Sequence, residues 1–206
     1  MDTKNTETHE VIRTKRLEIV DEKGNTKGLF FYDEESKATA VQLLDSNGKA
    51  RAEFMFSEDN ATGISFKDNN ENAQLSLFLN EANSSLIRLQ GNDGSPELSL
   101  SIFDDHAAIM ISDKNNITRA SLDLAPDNSI DLKLLDTDGK IRLSSSVSDD
   151  NEAKTVFFDH KQSVKSFISV SADGETMVTF SDKKNKSRLF VNLSDDSPAI
   201  GFCDKK

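Results

Sequence analysis

Val41-Gln42-Leu43-Leu44-Asp45-Ser46-Asn47-Gly48-Lys49-Ala50-Arg51-Ala52-Glu53-Phe54 is the stretch on which the fold turns. Val41 and Leu43 stand four and two places before Asp45, and Ala52 and Phe54 stand seven and nine places after it. Apolar residues at every second position mark a strand with one apolar face. Between the two runs, Asp comes first and Gly fourth, an order that suits a type I turn followed by a left-handed residue. Such a turn joins neighbouring strands into a tight antiparallel hairpin.

The same unit recurs along the whole chain. Asp21, Asp45, Asp68, Asp113, Asp136, Asp159, Asp182 and Asp204, with Gly91 in the fourth place, follow one another at intervals of 22 to 24 residues. Leu17 and Ile19, Ile64 and Phe66, Ile109 and Ile111, and Val178 and Phe180 repeat the two apolar places before the anchor. Among these positions only Thr155 is polar. Leu98, Leu100 and Ile102, or Leu189, Val191 and Leu193, repeat the run after it. Period-23 self-similarity of this kind is the mark of a repeat architecture.

The connections between units are short and polar as well: Ser57-Glu58-Asp59-Asn60, Pro126-Asp127-Asn128, Ala172-Asp173-Gly174 and Ser194-Asp195-Asp196-Ser197-Pro198. A parallel crossover needs a dozen residues or more. The chain is therefore expected to be all-β: an up-and-down antiparallel meander of about 17 short strands over residues 11–206, preceded by a polar tail at 1–10. One hairpin cannot bury its apolar side alone, so neighbouring units or another layer must complete the burial. A rolled or sandwiched meander is the expected closure. The alternative is a four-bladed propeller of 46-residue units, suggested by the acidic pairs Glu58-Asp59, Asp104-Asp105, Asp149-Asp150 and Asp195-Asp196 in every second unit.

The runs Arg16-Leu17-Glu18-Ile19-Val20-Asp21-Glu22-Lys23-Gly24 and Leu44-Asp45-Ser46-Asn47-Gly48-Lys49-Ala50-Arg51-Ala52 resemble the unit of uncharacterised bacterial tandem β-hairpin repeat proteins. That unit is an alternating strand, Asp-x-x-Gly-Lys-x-Arg, and a second alternating strand. The resemblance implies a hairpin-repeat fold and carries no activity with it. Several copies here lack the Gly, as in Asp159-His160-Lys161-Gln162.

Composition narrows the function classes. The net charge of −11 argues against general binding to nucleic acid or to an anionic membrane. No apolar run approaches the ~18 residues of a membrane helix, and the strands are too short for a lipid-facing barrel. The polar start, Met1 to Thr8, lacks the apolar centre of a secretory signal, so a cytoplasmic setting is expected, with a virion or signal-independent export as alternatives. A single cysteine, Cys203, allows no intrachain disulfide.

Catalytic and metal signatures are missing from the sequence pattern. His9, His106 and His160 share no place in the repeat and have no second ligand at metal spacing. The Asp136-Thr137-Asp138-Gly139 turn has hard oxygen ligands, but its Gly is fourth and a strand follows, unlike a calcium-binding loop. No enzyme, cofactor or metal is expected. Six places past the anchors stands a basic column, Lys27, Arg51, Arg119, Arg142, Lys165 and Arg188, accompanied by Ser76, Ser99, Ser121 and Ser144. Two functions follow as expectations. The first is a non-enzymatic structural or self-assembling repeat protein, a homo-oligomer serving as scaffold, shaft or surface component. The second is a module that uses the basic, Ser-lined face to bind a glycan or an acidic protein partner.

Overall fold

A computed structural model describes residues 11–80, 84–195 and 197–203. The tail at 1–10 with His9, the turn residue Asp196 and the last anchor, Asp204, lie outside the described residues. The strands are β1 (Arg16–Val20), β2 (Thr26–Asp33), β3 (Ala38–Leu44), β4 (Ala50–Ser57), β5 (Thr62–Lys67) and β6 (Ala73–Leu79). They continue with β7 (Ser85–Gln90), β8 (Glu97–Phe103), β9 (His106–Ser112), β10 (Thr118–Leu124), β11 (Ile130–Leu135) and β12 (Ile141–Val147). The last five are β13 (Ala153–Phe158), β14 (Val164–Val170), β15 (Thr176–Ser181), β16 (Ser187–Leu193) and β17 (Ala199–Phe202).

Each strand pairs antiparallel with the next in sequence, from β1 with β2 to β16 with β17, so all 17 form one up-and-down sheet. Among the described residues no helix is long and apolar enough to cross a membrane.

The turns explain the register. At the Asp edge, Asp45 Oδ1 accepts hydrogen bonds from the amides of Asn47 (2.8 Å) and Lys49 (3.1 Å), while its own amide donates to the Lys49 carbonyl. Asp21, Asp68, Asp113, Asp136, Asp159 and Asp182 build the same loop. The fourth loop residue is left-handed in every case, Gly48 at φ 79° and Gly139 at φ 74°. Glu71, Asn116, Gln162 and Asn185 hold the same conformation without being glycine. Three of these four use their side chains to tie to the preceding unit: Gln162 Nε2 donates to the Ile141 carbonyl (2.8 Å), Asn185 Nδ2 donates to Ser163 Oγ (3.0 Å), and Glu71 Oε1 accepts from the Ala50 amide (3.4 Å). A contact between units thus offsets the conformational strain of a side chain in that slot. At the other edge Ser57, Ser148 and Ser171 hydroxyls donate to Asp59, Asp150 and Asp173 two places on.

The expected closure is not what forms. The sheet is one open layer, neither rolled, sandwiched nor divided into blades; β1 and β17 each have one neighbour. The connections and the end strands account for this. Consecutive strands are joined by short connections, so each strand is followed by its sheet neighbour and no long segment crosses to a second sheet, and the sheet stays unrolled because its end strands β1 and β17 do not pair with each other. The burial pattern follows. The only buried apolar residues are Ala38, Ala40, Ala50, Ala61, Ala108 and Val156, and no large side chain is fully buried among the described residues.

Candidate interaction faces

Cross-strand register turns the repeat into continuous rows. Leu17, Phe30, Val41, Phe54, Ile64 and Leu77 stand directly opposite one another on β1 to β6. The row runs on through Ile87, Leu100, Ile109, Leu122 and Leu132, one residue per strand. Ser145 on β12 and Thr155 on β13 interrupt it, and Ile168, Val178, Val191 and Ile200 complete it. The two polar members face each other, and their hydroxyls are hydrogen-bonded at 2.9 Å. Thr155 is thus a matched exception, and its partner could have been found in the sequence by counting back across the turn.

Two flanking rows lie on the same face. Toward the Asp edge run Ile19, Gly28, Leu43, Ala52 and Phe66; toward the Ser edge run Tyr32, Thr39, Phe56, Thr62 and Leu79. Large and small residues alternate at these positions, so the surface is corrugated there, whereas Leu75, Leu89, Leu98 and Ile111 continue the Asp-edge row as an unbroken run of large residues. One open hollow of about 400 Å³ is bounded by Ile87, Leu100, Ile102, Ile109, Leu122 and Leu124. No other described residue covers this face. Phe30 is 51% exposed, Leu43 57% and Ile102 52%. The whole chain presents 14863 Å² to solvent, whereas a compact monomer of this mass presents roughly 9,600 Å². A typical monomer's largest apolar patch covers only ~300–600 Å².

The opposite face has the reverse character. Ser99, 2% exposed, sits between Arg88 and Met110 on the adjoining strands, and Ala40, 4% exposed, between Phe31 and Met55. Small side chains here are roofed by the longer ones on either side, because stems of Arg, Lys and Met lie down over a sheet. The Phe78 ring covers Gly63 in the same way, and the Phe190 ring covers Gly201. Glu53 is held by Lys67 Nζ at 2.5 Å and by Gln42 Nε2 at 3.2 Å. Burial raises its carboxyl pKa, but these two bonds more than compensate and leave it below the ordinary value.

The basic column lies on this opposite face, at a place the sequence pattern did not disclose. Each of the six residues is the extra residue of a β-bulge just after an Asp turn: the register slips between Leu43–Ala52 and Leu44–Ala50, leaving Arg51 unpaired, and Lys27, Arg119, Arg142, Lys165 and Arg188 fall at the equivalent slips. Each also meets its own anchor. The pairs are Lys27–Asp21 (3.6 Å), Arg51–Asp45 (3.8 Å), Arg119–Asp113 (3.3 Å), Arg142–Asp136 (3.8 Å), Lys165–Asp159 (3.1 Å) and Arg188–Asp182 (2.6 Å). Several then reach onward: Arg51, Arg119 and Arg142 donate through Nε to the carbonyls of Lys67, Leu135 and Phe158, each immediately before the next anchor. The column therefore clasps one unit to the next. Amide hydrogen bonds from Ser163 and Lys161, together with Lys165, hold the Asp159 carboxyl down at about 2; for Asp182 the Arg188 guanidinium does so first, with the same result.

Among the described residues no group of three or more His, Cys, Asp or Glu is placed to hold a metal ion. The turn carboxylates point their oxygens at their own loop amides. His106 Nε2 lies 3.7 Å from Asp123, and Cys203 is exposed at the end of β17. Tyr32 donates to the Glu58 carboxylate at 2.5 Å, which pushes the phenol up to about 12.

Comparison with protein-family models finds none that matches the chain, and comparison with curated proteins finds no match either.

Proposed function

We propose that the chain is a non-enzymatic structural protein that assembles with itself, of the tandem β-hairpin repeat kind that the Asp-x-x-Gly-Lys-x-Arg unit resembles. The observation that carries this reading is the exposed apolar face. Rows of Leu, Ile, Val and Phe run the length of a one-layer sheet and stay in water. Area removed from water contributes about 25 cal/mol per Å², so a face of this size gives association a large driving force. The basic column supports the same reading, because its charges are met by the anchor carboxylates and its reach is spent on the neighbouring unit. Sedimentation equilibrium at micromolar concentration tests it. A mass that is a multiple of 22.8 kDa is expected, and a strict monomer of 22.8 kDa overturns the proposal.

A further inference from the structure

Resting on the self-assembly reading, the geometry points to one arrangement: a second copy covers the apolar face, each strand lying over the same strand of its partner and running the opposite way, about a two-fold axis along the central row. The first support is the distribution of size within each strand. Leu43 is paired with Thr39 on β3, Phe56 with Ala52 on β4, and Phe180 with Thr176 on β15. One member of each pair is in the row near the Asp edge, the other in the row near the Ser edge. From β2 to β16, odd strands carry the large member toward the Asp edge and even strands carry it toward the Ser edge, apart from β6 (Leu75, Leu79), β8 (Leu98, Ile102), β11 (Leu134, Ile130), β12 (Leu143, Val147) and β16 (Leu189, Leu193), which carry large residues in both rows. A two-fold axis along the central row exchanges the two flanking rows, so Leu43 comes to face Thr39 of the partner subunit, and Phe56 comes to face the partner's Ala52. On the strands with one large and one small member, knobs then meet hollows, as close packing between sheets requires. The other two-fold, parallel to the strands through β9, sets odd strand over odd strand with each flanking row on itself. Large residues would then meet large ones, and small would meet small.

Area is the second support. Sixteen strand spacings of ~4.8 Å make a ribbon of about 77 Å, and a strand of seven residues is roughly 23 Å long. The face is then on the order of 1,700 Å² per copy. Two copies bury on the order of 3,000 Å², inside the ~2,000–5,000 Å² of obligate interfaces. The tail of this chain is no substitute: residues 1–10 include one apolar side chain, Met1, and reach at most ~35 Å. Twist is the third. Sheets twist by about 20–25° per strand in one hand. Copies related by an axis along the ribbon twist together about that axis and keep their faces in contact from end to end.

The arrangement makes every residue of the central row face its own copy. In a Cys203→Ser background, Val41→Cys on β3, Ile109→Cys on β9 and Val178→Cys on β15 are each treated with a bismaleimide short enough to join only facing side chains. All three are expected to cross-link to dimers of the full chain, and Thr179→Cys, on the opposite face, is expected not to. Ile64→Cys and Ile168→Cys serve in the same way if an off-centre variant loses its β-sheet circular dichroism. An assembled protein in which only Ile109→Cys cross-links has the other axis. One in which none cross-links assembles through its edges or with a different partner. Either result overturns the inference and leaves self-assembly standing, whereas an unmodified chain that sediments as a monomer overturns both.

Discussion

The two faces of this sheet share strands, turns and register, yet burial and hydrophobicity are distributed between them in opposite senses. Ile109 and Met110 are neighbours on β9, one on each face, and both are more than a third exposed. Across the strands from Ile109 stand Leu100 and Leu122, so it belongs to an apolar row that ends in water. Beside Met110 stand Ser99 and Ser121, which it helps to bury to 2% and 9% exposure. In a one-layer sheet, then, burial is set by the length of the neighbours and not by hydrophobicity. The apolar face is the one left for another molecule.

That contrast can be broken at chosen positions. The largest effect is expected from Ile109→Lys, which sets an unpaired charge at the centre of the covered face at a cost of about 3–5 kcal/mol per copy. The sedimenting mass should fall to that of one chain, while Met110→Lys, one residue away, should leave it unchanged. Acid should act next, through the edges and not the faces. The Asp159 and Asp182 carboxyls are held at about 2 against an ordinary 3.8, so the folded state favours their ionised form. Stability from these turns is fully present above about pH 4 and is lost as pH falls toward 2. Far-UV circular dichroism should show the sheet melting in that window, and Asp182→Asn should reduce the pH dependence.

Smaller effects sharpen the comparison further. Ser99→Leu pushes a large side chain beneath Arg88 and Met110, which should cost about 1–3 kcal/mol and lower the Tm by several degrees, although the change is toward greater hydrophobicity. On the apolar face, Ser145→Val alone leaves the Thr155 hydroxyl without its partner and should cost about 1 kcal/mol. The double change Ser145→Val with Thr155→Val completes the central row and should recover that loss in a thermal melt, with tighter self-association.

Much of this was legible in the residues alone. Period-2 alternation around Val41 and Phe54, the Asp-led turns and their even spacing fixed strand number, order and direction, because these are local properties of the chain. Closure was not legible: alternation shows that a face is apolar, but not what lies over it. The rolled or sandwiched form was expected from the need to bury Leu43 or Phe66, but the end strands β1 and β17 do not meet, and the short connections carry no segment across to a second layer. The basic column was visible as a pattern, yet its place was hidden, since a bulge shifts register by one residue without altering the composition around Arg51 or Arg188. Likewise Thr155 read as a lone exception until register set Ser145 opposite it.

Small-angle X-ray scattering of the full chain tests most directly whether the apolar face is covered. The expected particle is a ribbon about 77 Å long, from strand spacings of ~4.8 Å, with the mass of two chains and a thickness of two sheets. A ribbon of that length with the mass of a single 22.8 kDa chain, or one twice as long and a single sheet thick, would contradict it.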